Sequence, residues 1–255
     1  MSQIPWPDLV PFQWLLAVLG AMSIGFSKSG FAGVGLIHIL IFEDLFGARE
    51  STGALLPMLI IGDVCAVYFF RQHANWHYVW RILPPTMIGV VVAWVVMHKL
   101  DEKMSQRTIG GIVLLLALLQ MARMWRPKWF AHIPHAHWFA WSLGLFAGCT
   151  TMLANAAGPI VAIYLLAVGL PKSEFVGTGA WFFLIVNIYK VPFSSGLGLI
   201  RPDTLVLNAC LAPVILAGML LGRALVYRIS QRRFDTVLLA LAVVAALRLI
   251  GVLRF

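Results

Sequence analysis

Residues Gly25 to Gly35 read Gly-Phe-Ser-Lys-Ser-Gly-Phe-Ala-Gly-Val-Gly, a lysine flanked by serines and set among glycines. Ammonium, hydroxyl and helix-end amide groups together can hold a small oxyanion without a metal. The candidate ligands in this stretch are Lys28, Ser27, Ser29, Gly30 and Gly33. A second stretch, Thr150 to Asn155, has no lysine but offers Thr151 and Asn155. Gly158-Pro159 follows, where a new helix can begin because proline is tolerated in a first turn. Asp63 is a carboxylate inside an apolar run, suited to neutralise Lys28 in an empty site or to carry a coupling proton. Asn187 and Lys190 are three apart and share a helix face. Lys190 reads equally well as a second substrate-facing cation or as a side chain snorkelling to an interface.

The elements that must position these groups are membrane helices. Of 255 residues, 61% are hydrophobic and 11% charged, against about 25% charged in soluble domains. Lys28 sits in the middle of an apolar run covering about 12–42. A cation at that depth costs roughly 2.5–3.5 kcal/mol, and each helix-interior glycine about 1 kcal/mol relative to alanine. An anion site offsets both. The competing explanation is a tight helix-packing face with a snorkelling Lys28.

Apolar segments occur at about 12–42, 51–70, 79–98, 108–125, 137–169, 175–195, 203–227 and 234–253. We therefore expect an all-α polytopic membrane protein of about eight transmembrane segments. The first and fifth are near 30 residues, about 45 Å as helix against a hydrocarbon core of roughly 30 Å. Tilting accommodates such a length, and so does breakage into half-helices. The segments form two sets of four. Leu19-Gly20 matches Leu143-Gly144, Thr52-Gly53-Ala54 matches Thr178-Gly179-Ala180, and Pro84 with Gly89 matches Pro213 with Gly218. The expected organisation is a first repeat over 1–129 and a second over 130–255. Duplication of this kind places transporter sites at the repeat interface near the midplane.

Simple crossing of all eight segments leaves Lys and Arg balanced on the two sides. If segments one and five each return to the side they left, the basic residues separate. Arg71, Arg123, Arg126, Lys128, Lys172, Arg228, Arg232 and Arg233 then oppose Arg49, Lys99, Lys103, Arg107, Arg201 and Arg254. The two repeats are then inverted relative to each other. Tryptophans near segment ends, Trp6, Trp76, Trp80, Trp125 and Trp129, read as interfacial anchors. The net charge of +9 resides mostly in short loops and helix ends, which points to lipid head groups and not to nucleic acid. The amino terminus lacks the basic region and cleavage site of a signal peptide, so the first helix is expected to be retained.

Enzyme and metal readings find little support. Cys65, Cys149 and Cys210 lie in separate apolar segments without a Cys-x-x-Cys pair. His132, His135 and His137 cluster in a proline-bearing connection with no carboxylate or cysteine, and His38 reads as a core histidine. No Gly-x-Ser-x-Gly, Walker or His-Glu-x-x-His motif occurs. No metal or cofactor is expected.

Gly25, Lys28, Gly30, Phe31, Gly33 and Gly35 form one pattern. Gly148, Gly158 and Pro159 form another, followed by Tyr164-Leu165-Leu166 and Val176-Gly177-Thr178. In this order, together with Asn187 and Lys190, they resemble the sulfite exporter TauE/SafE family over essentially the whole chain. The resemblance implies a multi-pass permease of the bacterial inner membrane, moving sulfite or organosulfonates, usually outward. Ala32 and Val34 interrupt what is often a longer glycine run in that family. The resulting expectation is an anion transporter working by alternating access, with Lys28 as its charge-reading group. The expected partners are a small anion, the lipid bilayer and, as an option, a second copy in a homodimer. An anion channel and a structural or assembly protein whose small residues only pack helices are the alternatives.

Overall fold

The structure, a computed structural model, describes residues 9–126, 137–225 and 231–252. Among these residues there are ten α-helices and no strand. The first five are α1 (Pro11–Lys28), α2 (Ile37–Phe46), α3 (Ala48–Phe70), α4 (Trp76–Met97) and α5 (Glu102–Trp125). The other five are α6 (His137–Ala154), α7 (Gly158–Ala167), α8 (Lys172–Gly196), α9 (Pro202–Leu225) and α10 (Gln231–Ile250). Among the described residues, five helical stretches have the length and apolar composition to cross a membrane: Ala48–His73, Trp76–Met97, Glu102–Trp125, Ser173–Gly196 and Pro202–Leu225.

Both long apolar segments are broken. The first is split into α1 and α2 by residues 29–36, the second into α6 and α7 by residues 155–157. The arms of the first pair fold back on each other, for Gly20 of α1 lies against Phe42 and Ile41 of α2. α3 follows α2 after Gly47 alone, whose φ of 82° permits the sharp turn. The Glu102 carboxylate accepts from the N–H groups of Ala48 (2.6 Å) and Arg49 (3.3 Å). It thereby satisfies two orphan donors at the start of α3 and complements the helix dipole.

The order "broken pair, then three long helices" occurs twice, and the packing follows the same order. α1 lies along α9, and α4 along α6. In both cases glycines bring two backbones into direct contact. A side chain at Gly25 would run into the Ile215 carbonyl, and one at Gly218 into that of Met22. One at Gly89 would meet the Leu145 carbonyl, and one at Gly148 that of Thr86. α3 and α8 pack against each other and run antiparallel. Gly53 near the start of α3 abuts Leu199 just past the end of α8. Gly177 near the start of α8 abuts Phe70 at the end of α3. Asp63 and Asn187 meet midway along this pair.

The outward faces of the long helices carry exposed Val91, Val92, Val95, Leu115, Leu118, Leu216 and Leu220, as lipid contact requires. Trp76 and Trp80 are exposed at the start of α4, with the Trp76 ring tilted against those of Trp80 and Trp181, and Trp125 is exposed at the end of α5. Trp6 and Trp129 lie outside the described residues. Arg201 bonds Glu50 (2.8 Å) at one end of α3, while Arg71 and Arg223 lie close together at the other.

Candidate functional site

The two helix breaks meet around one cavity. α1 ends at Lys28, and the chain leaves it through Ser29 and then Gly30, whose φ of 113° is reached without strain only by glycine. A 3-10 turn over Ala32–Leu36 carries it into α2. On the other side α6 ends at Ala154, and Asn155 adopts φ 54°, a conformation asparagine tolerates better than most residues. Its N–H donates to the Thr151 carbonyl (3.0 Å), and that of Ala156 to Thr150 (3.3 Å), which satisfies the last turn of α6. Pro159 then starts α7 in its first turn, where its missing N–H costs nothing. The space between the breaks is about 120 Å³, small beside the roughly 300–1,000 Å³ of drug-sized sites. Its walls are mainly apolar, with Phe175, Phe183, Leu36, Leu59, Val161 and Leu165 around the polar groups Ser27, Lys28, His38, Thr151, Asn155 and Asn187.

Behind this wall runs a continuous polar cluster. The Lys28 ammonium pairs with Asp63 Oδ1, and its Nζ also lies 4.7 Å above the ring centre of Phe183. Asn187 Nδ2 donates to Asp63 Oδ2 at 2.7 Å. Lys190 Nζ donates to Asn155 Oδ1 (2.6 Å), Thr151 Oγ1 (3.1 Å) and Asn187 Oδ1 (3.3 Å). Asn155 Nδ2 in turn donates to the Thr52 carbonyl at 2.9 Å. The cluster therefore ties α1, α3, α6 and α8 together through side chains.

Burial makes the charges matter. Asp63 is fully buried, Lys190 is 1% exposed, and the Lys28 side chain 13%. Buried charges persist only when paired and hydrogen-bonded. Lys28 has a carboxylate, but the three acceptors around Lys190, on Thr151, Asn155 and Asn187, are all neutral oxygens. With both ammonium groups protonated, these three ionisable side chains carry one positive charge in excess. A monovalent anion in the adjoining cavity would balance it.

The expected residues divide into three groups. Lys28, Ser27, Gly30, Thr151, Asn155, Gly158 and Asn187 line the cavity. The Ser27 hydroxyl donates to its own helix at the Ile24 carbonyl (2.8 Å), and a Cβ on Gly158 would meet nothing within 4 Å. Asp63 and Lys190 stand behind the wall and act on it through their partners. Burial of Lys190 within the cluster decides against the snorkelling alternative. Ser29 does not line the cavity: its hydroxyl donates to the Phe26 carbonyl (2.7 Å), and its side chain wedges against Gly222 of α9. Gly25 likewise serves helix packing, as the competing explanation had it. Gly33 lies on the 3-10 turn between α1 and α2.

The apolar lining escaped the sequence reading, and so did one polar residue. Phe183 gives no signal among so many apolar aromatics. His38, taken for a core histidine, is indeed buried (3% exposed), yet it lines the cavity and its Nδ1 has no hydrogen-bond partner. His132 and His135 lie outside the described residues, and His137 begins α6 with an exposed side chain. Among the described residues, no three His, Cys, Asp or Glu side chains come together as a metal site would require.

Apolar helices of membrane-spanning length, packed around an internal cavity that carries a few polar groups at two chain breaks, define a multi-pass helical membrane protein. A family model described as Sulfite exporter TauE/SafE matches residues 14–249, and the chain belongs to that family of membrane transporters. A search of curated proteins found no match.

Proposed function

We propose that the protein is a secondary transporter that exports small sulfur-containing oxyanions, sulfite or organosulfonates, across the bacterial inner membrane. The observation that carries this reading is the polar cluster against the cavity, in which a half-buried Lys28 and a buried Lys190 share a single carboxylate, Asp63. In the empty site Asp63 holds Lys28. An arriving anion takes over part of that ammonium, while Asn187 and Asn155 keep the flanking groups aligned. Lys190 stays in place and contributes its field. The mainly apolar walls weaken competition from water, which strengthens every electrostatic contact inside. Binding by one exchangeable ion pair also allows release, which transport demands.

The chain functions on this reading as two inverted repeats, 1–129 and 130–255, with the site between them. Each repeat comprises a hairpin of half-helices followed by three crossings, which gives eight segments when each hairpin counts as one. Three crossings per repeat would place the second in the opposite orientation to the first. The antiparallel run of α3 and α8 supports this, as does the sorting of Arg201 and Arg71 to opposite ends of α3. Alternating access follows if the α1–α9 and α4–α6 pairs, locked by their glycine contacts, rock about the cluster as two units.

Uptake of labelled sulfite and of a sulfonate into proteoliposomes tests the reading, comparing the wild type with Lys28→Ala. Saturable flux with trans-stimulation in the wild type and its loss in the variant are expected. Non-saturable flux would favour a channel, and unchanged saturable flux in the variant would remove Lys28 from the site.

A further inference from the structure

His38 is the second residue of α2, in its first turn, and lies across the first break from Lys28 at the end of α1. Both side chains line the cavity. His38 is 97% removed from contact with the surroundings, and its Nδ1 makes no hydrogen bond. Burying such a group without a partner forfeits its hydration and recovers nothing. A leucine or phenylalanine would fill the same place without that loss. The start of α7, at the second break, carries Pro159 in the corresponding region and supplies no side-chain donor. The imidazole thus lines the cavity beside Lys28 with hydrogen-bonding capacity that no protein group uses.

We propose that His38 binds the transported anion directly, donating a ring N–H to one of its oxygens while Lys28 provides the charge. The inference rests on the anion reading of the cavity given above. It adds a neutral, directional donor on the first break to a cation that is itself poor at fixing orientation. The resulting site grips an oxyanion from two sides, and so favours ligands with several acceptor oxygens over spherical halides of equal charge.

Calorimetric titration of the purified full-length protein with sodium sulfite, methanesulfonate and chloride tests this, together with thermal unfolding without ligand. His38→Leu is expected to bind sulfite and methanesulfonate about 10- to 100-fold more weakly, as loss of a hydrogen bond to a charged group predicts. The same variant should unfold at a higher temperature than the wild type, because an unpartnered polar group has been replaced by an apolar one. A merely structural histidine would produce the opposite shift. His38→Gln, which keeps a donor, should recover most of the lost affinity. Unchanged anion affinity in His38→Leu, or a lower unfolding temperature, would overturn the role of His38 and leave the transporter reading standing. Failure of the wild type to bind either sulfur anion would overturn the anion reading and the role of His38 with it.

Discussion

The two helix breaks perform the same backbone manoeuvre with different chemistry. At the first, Gly30 provides the left-handed residue, and the side chains brought to the cavity are Lys28 and His38. At the second, Asn155 provides it, and the side chains are Thr151 and Asn155, neutral oxygens that hold Lys190 from α8. The first break therefore presents a cation paired with a carboxylate, Asp63. The second secures a cation that has no carboxylate of its own. On the proposed reading the two lysines divide the work: Lys28, facing the cavity, is the exchangeable one, and Lys190, held by neutral oxygens, is the fixed one.

The largest expected effect comes from disturbing the exchangeable side. Lys28→Met strands the fully buried Asp63 without its cation and should cost about 3–5 kcal/mol of stability by denaturant or thermal unfolding. Adding Asp63→Asn should restore most of that loss, since the new amide oxygen can still accept from Asn187. If the single variant were as stable as the wild type, the buried pair would not hold the empty site together.

The fixed side is tested by Asn155→Asp, which is nearly isosteric and puts a carboxylate on Lys190. It should cancel the excess charge and face the ligand with a like charge. Sulfite affinity should fall by about 100-fold or more, with a separate stability loss of about 1–3 kcal/mol because the Nδ2 donation to the Thr52 carbonyl is removed. Retained affinity would show that the uncompensated cation plays no part. The shared backbone design is tested next. Gly25→Ala and Gly148→Ala each drive a methyl into a neighbouring backbone, so both should destabilise by about 1–3 kcal/mol. A large effect at one and none at the other would break the correspondence between the α1–α9 and α4–α6 contacts. Smallest is Lys190→Met, which removes the excess charge from behind the wall without touching the ligand. It should weaken sulfite binding about tenfold, a remote Coulomb effect, as read by calorimetry.

Much of this site is legible in the sequence because its residues are expensive where they stand. Lys28 and Asp63 in apolar runs, and Asn155 beside Gly158-Pro159, announce themselves by composition and position alone. The breaks were legible for a related reason, since about 30 apolar residues overrun a bilayer and small residues mark where the helix can stop. The rest depends on neighbours distant in the chain. Gly25 and Gly30 are alike in the sequence, yet one packs against Ile215 and the other turns the chain, which only the placement of α9 distinguishes. Lys190 lies six residues before the end of α8, within reach of either an interface or an interior, and the acceptors that decide it come from α6. Ser29 was drawn to the site by adjacency to Lys28, but one step around the helix end turns it toward Gly222. His38 looked ordinary because a buried histidine usually finds a partner, and its lack of one is a fact of three dimensions. The boundary between α2 and α3 was also misplaced. The apolar segments end at about 42 and resume at about 51, whereas helix continues on both sides of Gly47, with Glu43 buried and Glu102 capping α3.

The central claim is that an anion binds by taking Lys28 from Asp63. Its most direct test is equilibrium binding of sulfite to the neutral pair Lys28→Met with Asp63→Asn, measured by calorimetry beside the wild type. The account predicts a folded protein of near wild-type stability whose sulfite affinity has fallen at least about 100-fold, because Lys190 does not reach the cavity. Wild-type affinity in that variant would contradict it.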